Sequence, residues 1–317
     1  MISFAFVFPG QGSQSVGMLN GWRAHPAVLE TLAEASEALG EDMGRLIEDG
    51  PADRLALTTN TQPVMLIAGV AAFRVWMAET GVAPEVVAGH SLGEYSALVA
   101  AGALTLADAA PLVRLRSQAM QDAVPVGVGA MAAILGLEAP KVIEGCAEAA
   151  RSFGLNTDEV VEAVNFNDPL QTVIAGTRAA VDKACEVLKA NGARRALHLA
   201  VSAPFHSTLM KPAAEALREK LVSVRISTPV LSVINNIEVA VESGPDRIRA
   251  ALYRQAFGPV RWVEIIQSIR ARGIDTVVES GPGKILAGMV KRIDGDMRGL
   301  ALFDLVTLEE LKKVMME

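Results

Sequence analysis

The pentapeptide Gly89-His90-Ser91-Leu92-Gly93 lies where a short apolar run, Glu85-Val86-Val87-Ala88, passes into the helical pattern Glu94-Tyr95-Ser96-Ala97-Leu98-Val99-Ala100-Ala101. A serine between glycines at a strand-to-helix junction sits in a sharp, strained turn, because glycine leaves the backbone room to reverse abruptly. That turn lifts the Ser91 hydroxyl out of the fold at the positive end of the following helix. An oxyanion formed when Ser91 attacks a carbonyl is favoured there, and the N–H of Leu92 is the natural first donor. The pattern therefore predicts an α/β unit carrying a nucleophile elbow.

The chain opens on a similar junction. Ile2-Ser3-Phe4-Ala5-Phe6-Val7-Phe8 has the length and apolar content of a buried strand, which Pro9-Gly10-Gln11-Gly12-Ser13-Gln14 ends abruptly. Open α/β sheets place their sites at such carboxyl ends, and the backbone N–H of Gln11 can supply a second oxyanion donor. Neither G-x-x-x-x-G-K-S/T nor G-x-G-x-x-G is present, which argues against a phosphate loop. Helical periodicity follows over 27–39 and 63–79, the second opened by the capping segment Asn60-Thr61-Gln62. This alternation predicts an α/β fold with a mainly parallel sheet. With 317 residues, 51% of them hydrophobic, the chain can bury a large core in two unequal domains. No apolar run reaches the length of a membrane span, and the N-terminus lacks the basic start of a signal peptide. A cytoplasmic location without a membrane partner is expected. Cys146 and Cys185 read as small buried residues, and a net charge of -7 argues against nucleic acid as a partner.

The elbow helix closes at Gly102, and Thr105 can cap a further helix running to about Ala123, with a kink at Pro111. Leu112, Arg116 and Met120 recur at i, i+4, i+8, which sets Arg116 among apolar neighbours while Arg114 projects to another side. A guanidinium there needs a carboxylate, either a protein acid in a structural salt bridge or the carboxylate of a substrate. From 129 to 201 the pattern is β-α-β-β-α-β, with strands over 131–135, 160–166, 171–175 and 196–201 and helices over 140–151 and 178–190. That order is ferredoxin-like. It reads as a small domain, 129–201, inserted into a large one made of 1–128 and 202–317. Gly127-Val128-Gly129 and Ser202-Ala203-Pro204 are the expected hinges, and the cleft between the domains is the expected site.

Four histidines compete as the base for Ser91. His90 adjoins the serine but its side chain points elsewhere. His25, beside Pro26, reads as surface, and His198, within the alternation of Leu197, Leu199 and Val201, as a sheet-face residue. His206 follows Pro204-Phe205 at the return to the large domain, a loop position at the cleft edge before a helix capped by Ser207 or Thr208. A Ser91–His206 pair is expected, and nothing selects a third acid between Asp168 and Asp182. The last third suggests strands over 230–234 and 276–279, helices over 245–257, 260–272 and 284–293, a tight turn at Gly281-Pro282-Gly283 and a terminal helix over 307–317.

Phe8-Pro9-Gly10-Gln11-Gly12-Ser13-Gln14, Thr61-Gln62-Pro63, the elbow through Leu98, Val164-Asn165-Phe166-Asn167, and His206 with Leu209-Met210-Lys211-Pro212 carry a specific likeness. Together they resemble the malonyl-CoA:acyl carrier protein transacylase family of bacterial fatty acid synthesis, over nearly the whole chain. The resemblance implies a large α/β-hydrolase-like domain with a ferredoxin-like small one. It implies Ser91 as nucleophile, His206 as base, Gln11 and Leu92 as the oxyanion hole, and Arg116 as holder of the malonyl carboxylate. In place of an acid, it implies that the backbone carbonyl of Gln255 orients the histidine. Gln62, Met120, Asn165 and Phe205 fall in the substrate pocket by the same likeness, Phe205 as a steric limit on branched acyl groups. Ser117, where many relatives carry glycine, and a long loop over 152–158 depart from the family pattern away from this chemistry.

The implied reaction is ping-pong transfer of malonyl from malonyl-CoA, through a malonyl-serine, to the phosphopantetheine thiol of acyl carrier protein. No metal or other cofactor is expected, and the chain is expected to be monomeric. Arg194 and Arg195, with Lys189 nearby, form a basic patch suited to an acidic carrier protein. Three other readings stand beside this one. A serine hydrolase or thioesterase would carry Ser, Asp and His in that order with an H-G-G-type loop. A non-catalytic carrier-binding module would have no reason to keep Ser91, His206 and Arg116 together. An acyltransferase of a polyketide pathway shares the chemistry, and the lack of flanking synthase domains favours fatty acid synthesis over it.

Overall fold

The computed structural model describes residues 3–23, 25–154 and 157–316. The first part runs β1 (Phe4–Phe8), α1 (Pro26–Leu39), α2 (Met43–Asp49), α3 (Ala52–Ala56), α4 (Thr58–Thr80), β2 (Val86–Gly89), α5 (Gly93–Ala100) and α6 (Leu106–Asp122). A middle part follows as β3 (Gly129–Leu135), α7 (Ala139–Arg151), β4 (Val161–Asp168), β5 (Gln171–Thr177), α8 (Arg178–Ala190) and β6 (Arg195–His198). The last part is α9 (Lys211–Ser223), β7 (Ser232–Ile234), α10 (Pro245–Gln255), α11 (Trp262–Ala271), β8 (Thr276–Ser280), α12 (Ile285–Ile293), β9 (Arg298–Leu302) and α13 (Leu305–Met316). The strands form a five-stranded sheet in the order β7-β2-β1-β8-β9 and a separate four-stranded one in the order β4-β5-β3-β6. Every pairing in the first is parallel and every pairing in the second antiparallel, so the fold is mixed α/β.

Strand β1 is the centre of the parallel sheet, and its sequence explains why both faces are covered. Phe4, Phe6 and Phe8 point to one side, where Phe6 meets Phe73 and Trp76 of α4 edge-on at 5.7 and 5.9 Å. Ala5 and Val7 point to the other side and pack with Trp262, Ile265, Ile266 and Ile269. Large rings on one face and small side chains on the other let helices sit at different heights over the same strand, and each buried ring contributes roughly 1.5–3 kcal/mol.

Helix α4 begins at Thr58, five residues before the predicted start. Asn60 and Thr61, read as caps, lie inside it and donate from their side chains to the carbonyls of Arg54 and Leu55, both at 2.8 Å. Pro63 has no N–H for the carbonyl of Thr59. The hydroxyl of Ser117, which donates to Arg114 O at 2.8 Å, lies 3.5 Å from that oxygen. Against the expectation of no span-length segment, α4 is long and apolar enough to cross a membrane, but 83% of its apolar window is buried in the core. The sequence pattern predicts none of α2, α3 and β9, and β6 ends at His198, short of the expected Val201. Ile2, Glu317 and residues 155–156 of the 152–158 loop lie outside the described residues.

The antiparallel sheet packs one face on α7 and α8, where Cys146 and Cys185 are buried, with burial pushing the Cys146 thiol up to about 12. Its other face, carrying Met131, Ala133, Val164 and Val173, looks toward Phe205 and the parallel sheet. Three contacts fasten the two sheets. Val260 pairs with the outer edge of β4, donating to Val164 O at 2.8 Å and accepting from Phe166 N at 3.0 Å. Glu162 of β4 accepts the backbone N–H of Thr208 at 2.7 Å. Gly129 lies so close to Pro204 that a Cβ there would sit 2.4 Å from the ring.

Candidate active site

Because β1 and β2 are adjacent and parallel, the loops that leave their carboxyl ends emerge side by side and bring Gln11 next to Ser91. The backbone strain of the elbow rests on Ser91 itself, at φ 54°, and the flanking glycines supply close approach. A Cβ on Gly89 would fall 1.8 Å from Gly93 C, and one on Gly93 would fall 2.0 Å from Phe8 O. Asn236, which no sequence motif singled out, clamps the turn from the loop after β7. Its Oδ1 accepts the Ser91 N–H at 2.7 Å, and its Nδ2 donates to Gly89 O at 2.6 Å.

His206, also left-handed at φ 67°, places Nε2 2.7 Å from Ser91 Oγ. Its Nδ1 lies 3.1 Å from Gln255 O and 3.2 Å from Gly258 O. Carbonyl oxygens only accept, so Nδ1 carries the proton and Nε2 is free to take the serine's. Burial, and then the charge of Arg116, push the His206 imidazole down to about 3, which keeps it neutral at physiological pH. The two undecided acids are engaged elsewhere, Asp168 with Arg292 at 2.8 Å and Asp182 with His198 at 3.2 Å. His25 is half-buried at the surface, where it caps α1 through Nδ1 and lies 3.3 Å from Glu79, away from the cavity. His90 bonds Asn167 at 2.8 Å beside Trp262 and faces the same cavity as Ser91.

Arg116 is 2% exposed, and among the described residues no carboxylate lies within ion-pair distance, which overturns the structural salt bridge. Nη1 donates to Gln62 Oε1 at 2.6 Å, while Nη2 donates to Gln255 Oε1 at 3.1 Å and Ser91 Oγ at 3.2 Å. Nε has no partner among the described residues, and the guanidinium lies 5.5 Å over the Tyr95 ring. A buried cation answered only by neutral groups is costly, and the arrangement stands ready for an anion.

Gln11, Gln62, Ser91, Leu92, Arg116, Met120, Asn165, Phe205 and His206 line one cavity of about 130 Å³. His90, Met131, Leu199 and Val201 complete it; for Leu199 and Val201 the alternation of their segment was the available signal. Gln255 stands behind the cavity as the common partner of His206 and Arg116. Among the described residues the N–H groups of Gln11 and Leu92 donate to no other acceptor, and Asn165 Oδ1 is buried without a partner. Lys189, Arg194 and Arg195 are exposed and outside the cavity, but Leu199 is only four residues, roughly 13 Å of extended chain, beyond Arg195. Among the described residues no group of three His, Cys, Asp or Glu could hold a metal ion. A strained serine bonded to a neutral, carbonyl-oriented histidine, beside two free N–H donors and an unanswered guanidinium, can perform acyl transfer on an anionic acyl group.

Comparison with known proteins agrees with this chemistry. Residues 5–295 match the acyl transferase domain family. The malonyl CoA-acyl carrier protein transacylase of Escherichia coli (strain K12) is 50% identical over 276 residues, 87% of each chain. The crystal structure of an acyl-carrier-protein S-malonyltransferase from Burkholderia pseudomallei 1710b is 60% identical, with a TM-score of 0.95 over 98% of this chain and 100% of that one. A malonyl-transacylase in complex with a type II PKS acyl-carrier protein is 45% identical, with a TM-score of 0.95 over 98% and 99% of the two chains. The chain belongs to the acyl transferase domain family and, within it, to the malonyl CoA-acyl carrier protein transacylases.

Proposed function

We propose that this chain moves the malonyl group of malonyl-CoA onto the phosphopantetheine thiol of acyl carrier protein through a malonyl ester of Ser91. The observation that carries the reading is the Arg116 guanidinium, bonded to Ser91 Oγ and without a carboxylate of its own. His206 Nε2 takes the hydroxyl proton as Ser91 Oγ attacks the thioester carbonyl, and the N–H groups of Gln11 and Leu92 receive the oxyanion. The C–S bond breaks, and His206 returns the proton to the coenzyme A thiolate. The carrier thiol then gives its proton to His206, attacks the ester carbonyl and leaves with the malonyl group while Ser91 recovers its proton. The malonyl carboxylate on Arg116 offsets the charge that depresses His206, so the base strengthens when the correct acyl group is in place. The steps as written require no metal or redox cofactor.

Intact mass after mixing with malonyl-CoA tests this: a malonyl adduct that Ser91→Ala abolishes and that added carrier protein discharges is expected. Free malonate released without carrier protein would instead favour a hydrolase.

The finer architecture belongs to the same reading. Taken within 129–201, the strand order 2-3-1-4 with two helices on one face supports a ferredoxin-like small domain, and 1–128 with 202–317 form an α/β-hydrolase-like large one. Lys189, Arg194 and Arg195 are proposed to steer the carrier toward the cavity in a monomeric, cytoplasmic enzyme. Nucleic acid and membrane have no place in this reading. Destination in fatty acid synthesis is preferred, and the related enzyme bound to a polyketide carrier keeps the polyketide alternative specific.

A further inference from the structure

The acyl-transfer steps above make no use of Glu94, yet its carboxylate lies behind the cavity, bonded to two residues that hold the reacting groups. It stands in the first turn of α5 directly after the elbow and is 2% exposed. One oxygen, Oε2, accepts two hydrogen bonds, from the backbone N–H of Asn236 at 2.9 Å and from Gln255 Nε2 at 3.0 Å. These two partners hold the reacting groups. Asn236 bonds Ser91 N and Gly89 O on either side of the strained turn. Gln255 offers its main-chain carbonyl to His206 Nδ1, its Oε1 to Arg116 Nη2, and its second Nε2 hydrogen to Ser91 O at 2.8 Å.

The orientation of the Gln255 amide matters because the opposite one would point an NH₂ at the guanidinium and an oxygen at the Ser91 carbonyl, leaving like groups facing each other. Glu94 and Ser91 O, both acceptors, select the orientation in which Oε1 meets Arg116. We infer that Glu94 is a positioning residue whose Oε2 ties Asn236 and Gln255 into one frame, keeping the serine elbow, the orienting carbonyl of His206 and the fork of Arg116 in register. This role rests on the acyl-transfer reading. Burial raises the Glu94 carboxyl to about 7, opposed first by the hydrogen bonds from Gln255 and Asn236 and then by the Arg116 charge, which acts through space without a bond. A carboxyl oxygen accepts in either protonation state, so the frame does not depend on the charge.

Hydrogen-bond acceptance is separable from charge by substitution. Glu94→Gln keeps one side-chain oxygen able to accept both bonds, Glu94→Ala removes it, and Glu94→Asp keeps an acid whose side chain is one methylene too short to reach both donors. Single-turnover malonylation by malonyl-CoA and discharge to carrier protein are measured for each, with melting temperature alongside. Glu94→Ala and Glu94→Asp should lose about a hundredfold in the rate constants of both half-reactions, as misplacement of a reacting group does, with KM for malonyl-CoA within about threefold of the parent. Glu94→Gln should retain at least about a third of the parental rate. Where Glu94→Ala fails to fold, Glu94→Asp carries the comparison. Parental rates in Glu94→Asp or Glu94→Ala, or a Glu94→Gln as slow as either, would overturn the positioning role. A parent chain that forms no malonyl adduct would overturn the acyl-transfer reading itself.

Discussion

Replacing Arg116 by alanine separates a group that recognises substrate from one that supports the fold. The substitution removes three hydrogen bonds, to Gln62 Oε1, Gln255 Oε1 and Ser91 Oγ. Two buried amide oxygens are left without these donors, at about 1–3 kcal/mol each. It also removes a buried cation with no carboxylate beside it, a gain of the same order, so the melting temperature should move by only a few degrees. Catalysis should not balance in this way. A malonyl carboxylate on the guanidinium fork is a buried charge pair, and truncating one partner costs about 2–5 kcal/mol, or roughly thirtyfold to several thousandfold in malonylation. An acetyl group makes no such contact, and its transfer should hold or rise. The pH profile supplies a further check: Arg116 lowers His206, so its loss lets the imidazole rise from about 3 while burial still holds it below the ordinary value. A base works when neutral, so the acid limb of any residual acylation should move to higher pH in Arg116→Ala. Initial rates of adduct formation with malonyl-CoA and acetyl-CoA across pH, with thermal melts, measure all three quantities. Equal loss of both activities together with a large fall in melting temperature would refute the assignment.

Four further outcomes are expected. Gly93→Ala places a methyl 2.0 Å from the Phe8 carbonyl oxygen, a backbone clash that no rotamer relieves, and should abolish the folded state as judged by circular dichroism. His206→Ala should cut adduct formation by at least about a thousandfold, as members of one catalytic unit do, and leave the thermal transition cooperative. Burial raises Glu279 from 4.5 to about 7 in the folded chain, so its contribution is full below pH 4.5 and is lost as pH rises through 7, on the order of 3 kcal/mol. Glu94 slopes the same way, while His206 and His90, both held down by burial, slope the opposite way; relative to the parent, Glu279→Gln should therefore shift the difference in melting temperature between pH 8 and pH 5.5 upward, and an unchanged slope would count against it. Charge reversal at Arg194 and Arg195 should raise KM for carrier protein and leave malonylation by malonyl-CoA unchanged, and equal effects on both half-reactions would argue against docking there.

What could be read from the sequence was what the chain specifies locally. Phe4-Ala5-Phe6-Val7-Phe8 carries its own two-faced pattern, and the elbow carries its glycines, so the central strand and Ser91 were legible. Arg116 was correctly placed among apolar neighbours by its helical stripe, but its missing acid was not, because the answering groups, Gln62 and Gln255, are neutral and lie 54 and 139 residues away. Asn236 escaped notice for the same reason: it meets Ser91 across 145 residues, in a loop with no periodicity. α4 starts earlier than expected because Asn60 and Thr61 have the composition of a cap yet satisfy their side chains on the carbonyls of the preceding helix α3, a contact between elements that local propensity does not register.

The pairing of Val260 with β4 bears on how such a cleft can change its selectivity. With Glu162 on Thr208 and Gly129 against Pro204, the sheet edge, the strap that carries His206 and the segment that orients it are mechanically one piece. Swinging the antiparallel sheet outward at 127–129 and 202–204 would stretch those bonds and pull the imidazole off the serine in the same motion. Opening the cleft to admit a bulkier acyl group would therefore work against the catalytic pair. The route to a new acyl substrate that leaves this frame intact runs through the side chains lining the cavity, among them Met120, Leu199 and Phe205.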